Sequence, residues 1–290
     1  MNWPAEIFQI VEPPAWFDDC RLKTDALWLT WTKSIRQLLS DFAKETAGWP
    51  EPRHVRLLGG VEFDHTFTMP IELRLRLPCV AGISGIAENL LRVKPANGVF
   101  LFRELTDDDF DSSALSKLWA VLRDIIAERC GNPMAALYAP LSYVGRHARD
   151  FPLHADLYAP EYLWNVFDRV SKDGSGATKL LPIAEFYALA NAVTLPTGVM
   201  NELTACFDEN YRGERFRRFY DILHVNDDPL VQALARASDD AAIRLRLRQG
   251  EGYLIHDRAW LHGREAATGG ITKRRVHRLV FNANSPSTNG

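Results

Sequence analysis

The stretch Phe151-Pro152-Leu153-His154-Ala155-Asp156 constrains this chain more than any other. It reads as an extended strand, and residues two apart on a strand point to the same face. His154 and Asp156 therefore present an imidazole and a carboxylate side by side. A pair does not hold a metal ion, so a third ligand must come from elsewhere. A second apolar stretch far along the chain, Tyr253-Leu254-Ile255-His256-Asp257-Arg258-Ala259-Trp260-Leu261-His262-Gly263-Arg264, supplies His262. The two stretches are read as one site.

Two histidines and one carboxylate on one face make the facial triad of non-haem Fe(II) oxygenases. The opposite positions stay open for a chelating co-substrate and dioxygen, which separates a catalytic site from a closed structural one. His256 lies only six residues before His262 and is its rival as third ligand. His54, His65, His147, His224 and His277 lack a partner at ligand spacing and are read as ordinary imidazoles.

Four pieces, in order, resemble the Fe(II)/2-oxoglutarate-dependent dioxygenases of the taurine dioxygenase and clavaminate synthase-like group. They are the strand and turn from Asn97 to Asp109, the pair His154-Ala155-Asp156, the Gly174-Ser175-Gly176-Ala177-Thr178 run, and Leu261-His262-Gly263-Arg264 with Arg274 and Arg278 downstream. The resemblance covers roughly residues 97 to 284. It favours His262 over His256, because Gly263-Arg264 completes the motif and His256-Asp257 stands where the family has a polar pair.

By this resemblance the metal is Fe(II), held by His154, Asp156 and His262, and 2-oxoglutarate and O2 are the co-substrates. Arg274 would hold the distal carboxylate of 2-oxoglutarate, with Thr178 donating a hydroxyl to it. Arginine suits that role because its planar fork pairs bidentately with a carboxylate. Arg278 would lie near the metal-bound carboxylate or the substrate, and Arg275 is the rival to Arg274. The implied reaction releases succinate and CO2 and hydroxylates a small-molecule substrate, with desaturation, epoxidation or cyclisation as alternative outcomes. Asp156 argues against halogenation, since related halogenases carry a small residue there. A zinc-dependent hydrolase would use the same three ligands but not Thr178, Arg274 and Arg278. A non-catalytic jelly-roll binding protein would be expected to have lost a ligand.

A length of 290 residues with 47% apolar content suits one large domain over 1–290. The net charge of −3 offers no electrostatic case for a nucleic-acid or anionic-membrane partner. Cys20, Cys79, Cys130 and Cys206 are scattered, as reduced thiols of a cytoplasmic protein would be. No apolar run is long enough for a membrane span, and the N-terminus lacks the basic start of a signal peptide.

Along the chain, the aromatic-rich residues 1 to 22 read as a packing arm and 23 to 47 as an amphipathic helix. The alternation Glu72-Leu73-Arg74-Leu75-Arg76-Leu77 predicts a strand with one wet face, whose arginines are solvated or line a pocket. Helices are expected at 84–93 and 112–129, and strands at 98–103, 135–144, 163–167 and 178–183, with Pro140 marking a bulge or an edge. Helical patterns at 184–193, 200–211, 213–223 and 229–236 form an insertion, within which Arg212, Arg215, Arg217 and Arg218 read as a solvated helix face, with contact to an anionic substrate or a partner as the alternative. Gly250-Glu251-Gly252 turns the chain into a last metal strand, Tyr253 to Ile255. The fold class expected is β-rich α+β: a double-stranded β-helix, or jelly roll, with flanking helices and a helical insertion at about 184–236.

Overall fold

The computed structural model describes residues 5–17, 22, 26–57, 65–92, 98–143, 150–156, 161–170, 175–208, 215–267 and 274–282, without the side chains at 65, 142, 143, 216 and 274. In chain order the elements are β1 (Phe8–Ile10), β2 (Ala26–Trp31), α1 (Lys33–Thr46), β3 (Arg53–Arg56), β4 (His65–Thr68), α2 (Ile71–Arg74), α3 (Val80–Arg92), β5 (Val99–Phe102), α4 (Ser112–Arg129), β6 (Ala136–Tyr143), β7 (Phe151–His154), β8 (Tyr162–Arg169), β9 (Thr178–Pro182), α5 (Ile183–Val193), α6 (Thr197–Ala205), α7 (Arg215–Tyr220), α8 (Pro229–Ala241), β10 (Ile243–Leu245), β11 (Gly252–His256), β12 (Trp260–Arg264) and β13 (Arg274–Phe281).

A seven-stranded sheet has the order β1-β2-β5-β11-β8-β13-β6, and a four-stranded sheet the order β10-β9-β12-β7. Strand alternation divides their side chains between layers. Leu163 and Phe167 of β8, Tyr253 and Ile255 of β11 and Val276 and Val280 of β13 meet Leu180, Trp260 and Ile243 in one apolar cluster between the sheets. Trp164, Val166, Leu254, Leu279 and Phe281, the alternate residues of the same strands, face outward and pack with Leu39, Ile83, Leu118 and Trp119 of α1, α3 and α4. On the far side, Leu153, Leu181 and Leu261 of the small sheet pack against Phe186, Leu203, Phe219 and Leu234 of the inserted helices. The order is therefore helices, large sheet, small sheet, inserted helices.

The Trp164 ring sits 4.5 Å from that of Trp119, and both are fully buried. Truncating either to alanine would cost about 3–5 kcal/mol. α4 is capped by Asp111, just before its first residue, whose side chain accepts from the Ala114 N–H, satisfying one of the free amides at its start.

Several sequence expectations change. The Glu72–Leu77 alternation is not a strand: Pro70 opens the short helix α2, Leu77 is buried, Leu73 packs on the core and Leu75 between them is 77% exposed. Leu73, partly buried, and Leu77, fully buried, are four apart with exposed Leu75 between them, so helical spacing wins over the period of two. The front of the 23–47 helix is instead β2, whose Trp28, Leu29 and Trp31 are buried and which runs parallel to β5. α3 starts at Val80 rather than Ser84, α6 at Thr197 rather than Met200, and α8 runs to Ala241. β11 lies in the large sheet and carries none of the three candidate ligands; His262 belongs to the next strand, β12. β6, with Pro140, is the edge of the large sheet.

Candidate metal centre

β7 and β12 lie side by side in the small sheet, with His154 opposite His262. Both side chains project between the sheets, on the face of β12 that also carries Trp260. Gly263 lets the strands approach: a Cβ there would stand 2.8 Å from the Phe151 carbonyl oxygen and 3.1 Å from the Pro152 backbone. Asp156 lies two residues beyond the end of β7 and turns back under both rings.

Asp156 Oδ1 is 3.6 Å from His154 Nε2 and 3.5 Å from His262 Nε2. The three side chains are buried, and their ligand atoms lie within 4.8 Å of one another. The donor set suits a divalent metal ion: two imidazole nitrogens and one carboxylate oxygen, at separations close to the about 3 Å expected between neighbouring ligands with bonds near 2.1 Å. His154 Nδ1 donates to the Pro152 carbonyl at 2.9 Å, leaving Nε2 as the lone-pair nitrogen. Among the described residues, neither ring nitrogen of the buried His262 has a hydrogen-bond partner. A buried imidazole left in that state is costly, and a metal ion at Nε2 would satisfy it.

The electrostatics favour ligand forms. Burial, helped by the neighbouring His154, pushes His262 down to about 4, so its ring is neutral at pH 7. Burial pushes the Asp156 carboxyl up, but Arg278 and His262 outweigh it and hold it well below the usual carboxylate range. Arg278 Nη1 donates to Asp156 Oδ2 at 3.0 Å, the oxygen turned away from the histidines. Asn165 fixes this guanidinium, accepting from Arg278 Nε at 3.2 Å while its own amide donates to the Tyr253 hydroxyl. Tyr253, Asn165 and Arg278 stand in one row across β11, β8 and β13.

A second carboxylate, Asp257, is wholly buried beside the triad. Its Oδ1 accepts from the Asp156 N–H at 3.2 Å and lies 3.6 Å from His262 Nδ1. Its Oδ2 pairs with Arg215 Nη2, which also donates to the Asp156 carbonyl oxygen at 3.1 Å. Burial pushes Asp257 up to about 7, opposed by Arg215 and reinforced by Asp156.

Thr178 is buried on β9, opposite Arg264 of β12 and one inward-facing position from Leu180, the cross-strand neighbour of His262. That is about 7 Å along the strand from the histidine. Arg275 lies 3.5 Å from Asp168, on the face of β13 turned to the helices. The side chain of Arg274 lies outside the described residues; its backbone pairs with Tyr143. His256 packs its ring 5.3 Å from Tyr162, away from the triad.

The structure thus brings His154, Asp156 and His262 together with Arg278. Sequence reasoning did not assign Asp257 and Arg215 to the triad's surroundings, and it overlooked Asn165. Asn165 was detectable as the one polar residue inside Tyr162-Leu163-Trp164-Asn165-Val166-Phe167. Arg215 corrects the solvated-face reading: Arg217 and Arg218 are exposed, but Arg215 is 4% exposed. Nothing in the local sequence separates it from its neighbours.

No protein-family model matches the chain, and no curated protein matches it. Among solved structures it is similar to asparagine oxygenase, at a TM-score of 0.47 and 13% identity, with 88% of this chain and 93% of that one covered. A structure of asparagine oxygenase with Fe(II), 3-hydroxyasparagine and succinate gives 0.46 at 13% identity and the same coverage. The non-heme iron oxygenase OrfP in complex with Fe and alpha-ketoglutaric acid gives 0.43 at 14% identity, again covering 88% and 93%.

Proposed function

We propose that this chain is an Fe(II)- and 2-oxoglutarate-dependent oxygenase that hydroxylates a small anionic or zwitterionic, amino acid-like metabolite, releasing succinate and CO2. The observation that carries this reading is the buried convergence of His154 Nε2, His262 Nε2 and Asp156 Oδ1, with His262 unsatisfied until a metal binds. When bound, Fe(II) with chelated 2-oxoglutarate supplies oxidative decarboxylation coupled to insertion of one oxygen atom of O2 into a C–H bond.

The chain's own residues do the rest. Arg278 holds Asp156 Oδ2, so Oδ1, which faces the two histidines, is the oxygen that would hold the metal. Thr178, on the inner face opposite Arg264, would donate its hydroxyl to the distal carboxylate of 2-oxoglutarate in this reading. Arg274 supplies the cation for that carboxylate in this reading, and Arg264, opposite Thr178, is its alternative. The apolar wall of Leu163, Leu180, Ile255 and Trp260 excludes water from the space beside the site.

We also read β6 to β13 as the double-stranded β-helix core, with flanking helices and the helical insertion, of one domain over 1–290. In support, β6, β8, β11 and β13 run as β11-β8-β13-β6 in one sheet, facing β10-β9-β12-β7 in the other. The described cysteines, Cys79, Cys130 and Cys206, are free thiols, which supports a cytoplasmic setting. No helix among the described residues is long and apolar enough to cross a membrane.

Anaerobic titration of metal-free protein with Fe(II) and 2-oxoglutarate tests the reading through the visible charge-transfer band of the chelate. The band is expected with wild type, absent with His154→Ala, and shifted to higher 2-oxoglutarate concentration with Arg274→Ala. Tight zinc binding with no band would overturn it. Product mass spectrometry over an amino-acid panel tests the substrate class, and turnover of only neutral or cationic compounds would refute that part.

A further inference from the structure

The inserted helices and the metal ligands meet at one buried ion pair. We infer that Asp257 is the positioning carboxylate of His262 and that Arg215 latches the insertion to the metal centre, so that metal binding and docking of α7 are linked. This rests on the metal-centre reading above.

Three observations carry it. Asp257 is the carboxylate nearest the otherwise unpartnered Nδ1 of His262, at 3.6 Å, and a carboxylate at that nitrogen fixes the ring tautomer that leaves Nε2 for the metal. Asp257 is not free to turn, because Oδ1 also accepts from the Asp156 N–H and Oδ2 is held by Arg215. Arg215 contacts the supports of two ligands at once: the carboxylate behind His262 and the main-chain carbonyl of Asp156 itself.

Arg215 comes from α7, which supplies no ligand. Its guanidinium carbon stands 5.7 Å above the Phe207 ring, and Phe219 of the same helix is fully buried among the insertion's apolar residues. The guanidinium can sit at Asp257 only while α7 is docked on the small sheet. Undocking would strip the partner from a wholly buried carboxylate and free the Asp156 backbone. A ligand arrangement that depends on docking must, by linkage, stabilise docking when metal fills it. The insertion is then part of the metal site.

Co(II) replaces Fe(II) as an air-stable probe, read by its d–d absorption, with amide hydrogen exchange of α7 measured in parallel. Wild type, Arg215→Met, Arg215→Lys, Asp257→Asn, the Arg215→Met/Asp257→Asn double variant, His154→Ala and the exposed-face control Arg217→Ala are compared, each checked for folding by circular dichroism. Losing such an outer partner weakens metal affinity about 10–100-fold, which is expected for Asp257→Asn and Arg215→Met. The double variant should be no weaker than the worse single one, because the two act as a unit. Arg215→Lys should recover part of the loss, Arg217→Ala none, and Co(II) should slow exchange in α7 of wild type but not of Arg215→Met. If Arg215→Met does not fold, Arg215→Lys and Asp257→Asn carry the test. Wild-type Co(II) affinity in the folded Arg215 and Asp257 variants, or unchanged α7 exchange on metal binding, overturns the latch alone. Failure of wild type to bind Co(II), or binding that survives His154→Ala, overturns the metal-centre reading instead.

Discussion

Two buried polar clusters flank the same strand, and their histidines differ. On one face of β13, His277 is wholly buried, with Nδ1 2.8 Å from the Tyr138 hydroxyl and Nε2 3.4 Å from Ser112 Oγ. Tyr138 in turn pairs with Ser116 of α4 at 2.8 Å. On the other face Arg278 reaches Asp156 beside His262, neither of whose ring nitrogens has a hydrogen-bond partner among the described residues. Burial depresses both imidazoles, so both are neutral at pH 7. A buried imidazole with both nitrogens occupied ties a sheet to a helix; one with both empty is complete only with a ligand.

Exchanging the roles should break this contrast. His262→Ala is expected to lower Co(II) affinity by more than the about 100-fold limit for an outer partner, while the metal-free protein loses little stability. His277→Ala should do the reverse: unchanged Co(II) affinity, and a loss of about 2–4 kcal/mol in urea unfolding, from the orphaned Tyr138 hydroxyl and the cavity. Titration and denaturation of both variants check the pair. Equal metal affinities, or equal stability losses, would dissolve the distinction.

Gly263→Ala should fall between the two. Its Cβ would meet backbone, which cannot give way as a side chain does, so about 1–3 kcal/mol of stability is lost as β7 shifts. Metal affinity should fall with it, because His154 rides on β7.

Acid sharpens the comparison further. His277 is lowered from 6.5 in the folded protein, chiefly by burial and against the pull of Asp168. Below that value the unfolded chain binds a proton that the folded one refuses, so stability falls as pH drops through about 6.5 toward the depressed folded value, by up to about 1.4 kcal/mol per pH unit for one group. His277→Gln should flatten that slope in urea unfolding between pH 7 and 5. His224, also depressed by burial, retains its own share. The smallest effect is expected for Arg275→Gln: the arginine is 30% exposed and 3.5 Å from Asp168, and such partly solvated pairs contribute up to about 1 kcal/mol.

The two clusters also differ in how far they were legible. His154 and Asp156 were readable because two residues on one extended stretch fix their own relative position. The edge position of β6 was readable from Pro140, whose missing N–H cannot serve an interior strand. The His277 cluster was not, because Tyr138, Ser112, Asp168 and His277 come from four elements whose spacing only packing sets. Arg275 was left as a rival of Arg274 until its pairing with Asp168 put it on the helix-facing side.

By itself the sequence determined which residue types are available to hold a metal, the strand and helix periods over most of the chain, and the existence of an inserted helical segment. Those follow from residue chemistry and short-range spacing. Only the tertiary structure decided that Glu72–Leu77 coils rather than extends, that His262 sits on β12 and not on β11, and that Arg215, unlike Arg217 and Arg218, is buried against Asp257. Each of these depends on which surface an element docks against, and docking is settled by apolar burial summed over distant residues.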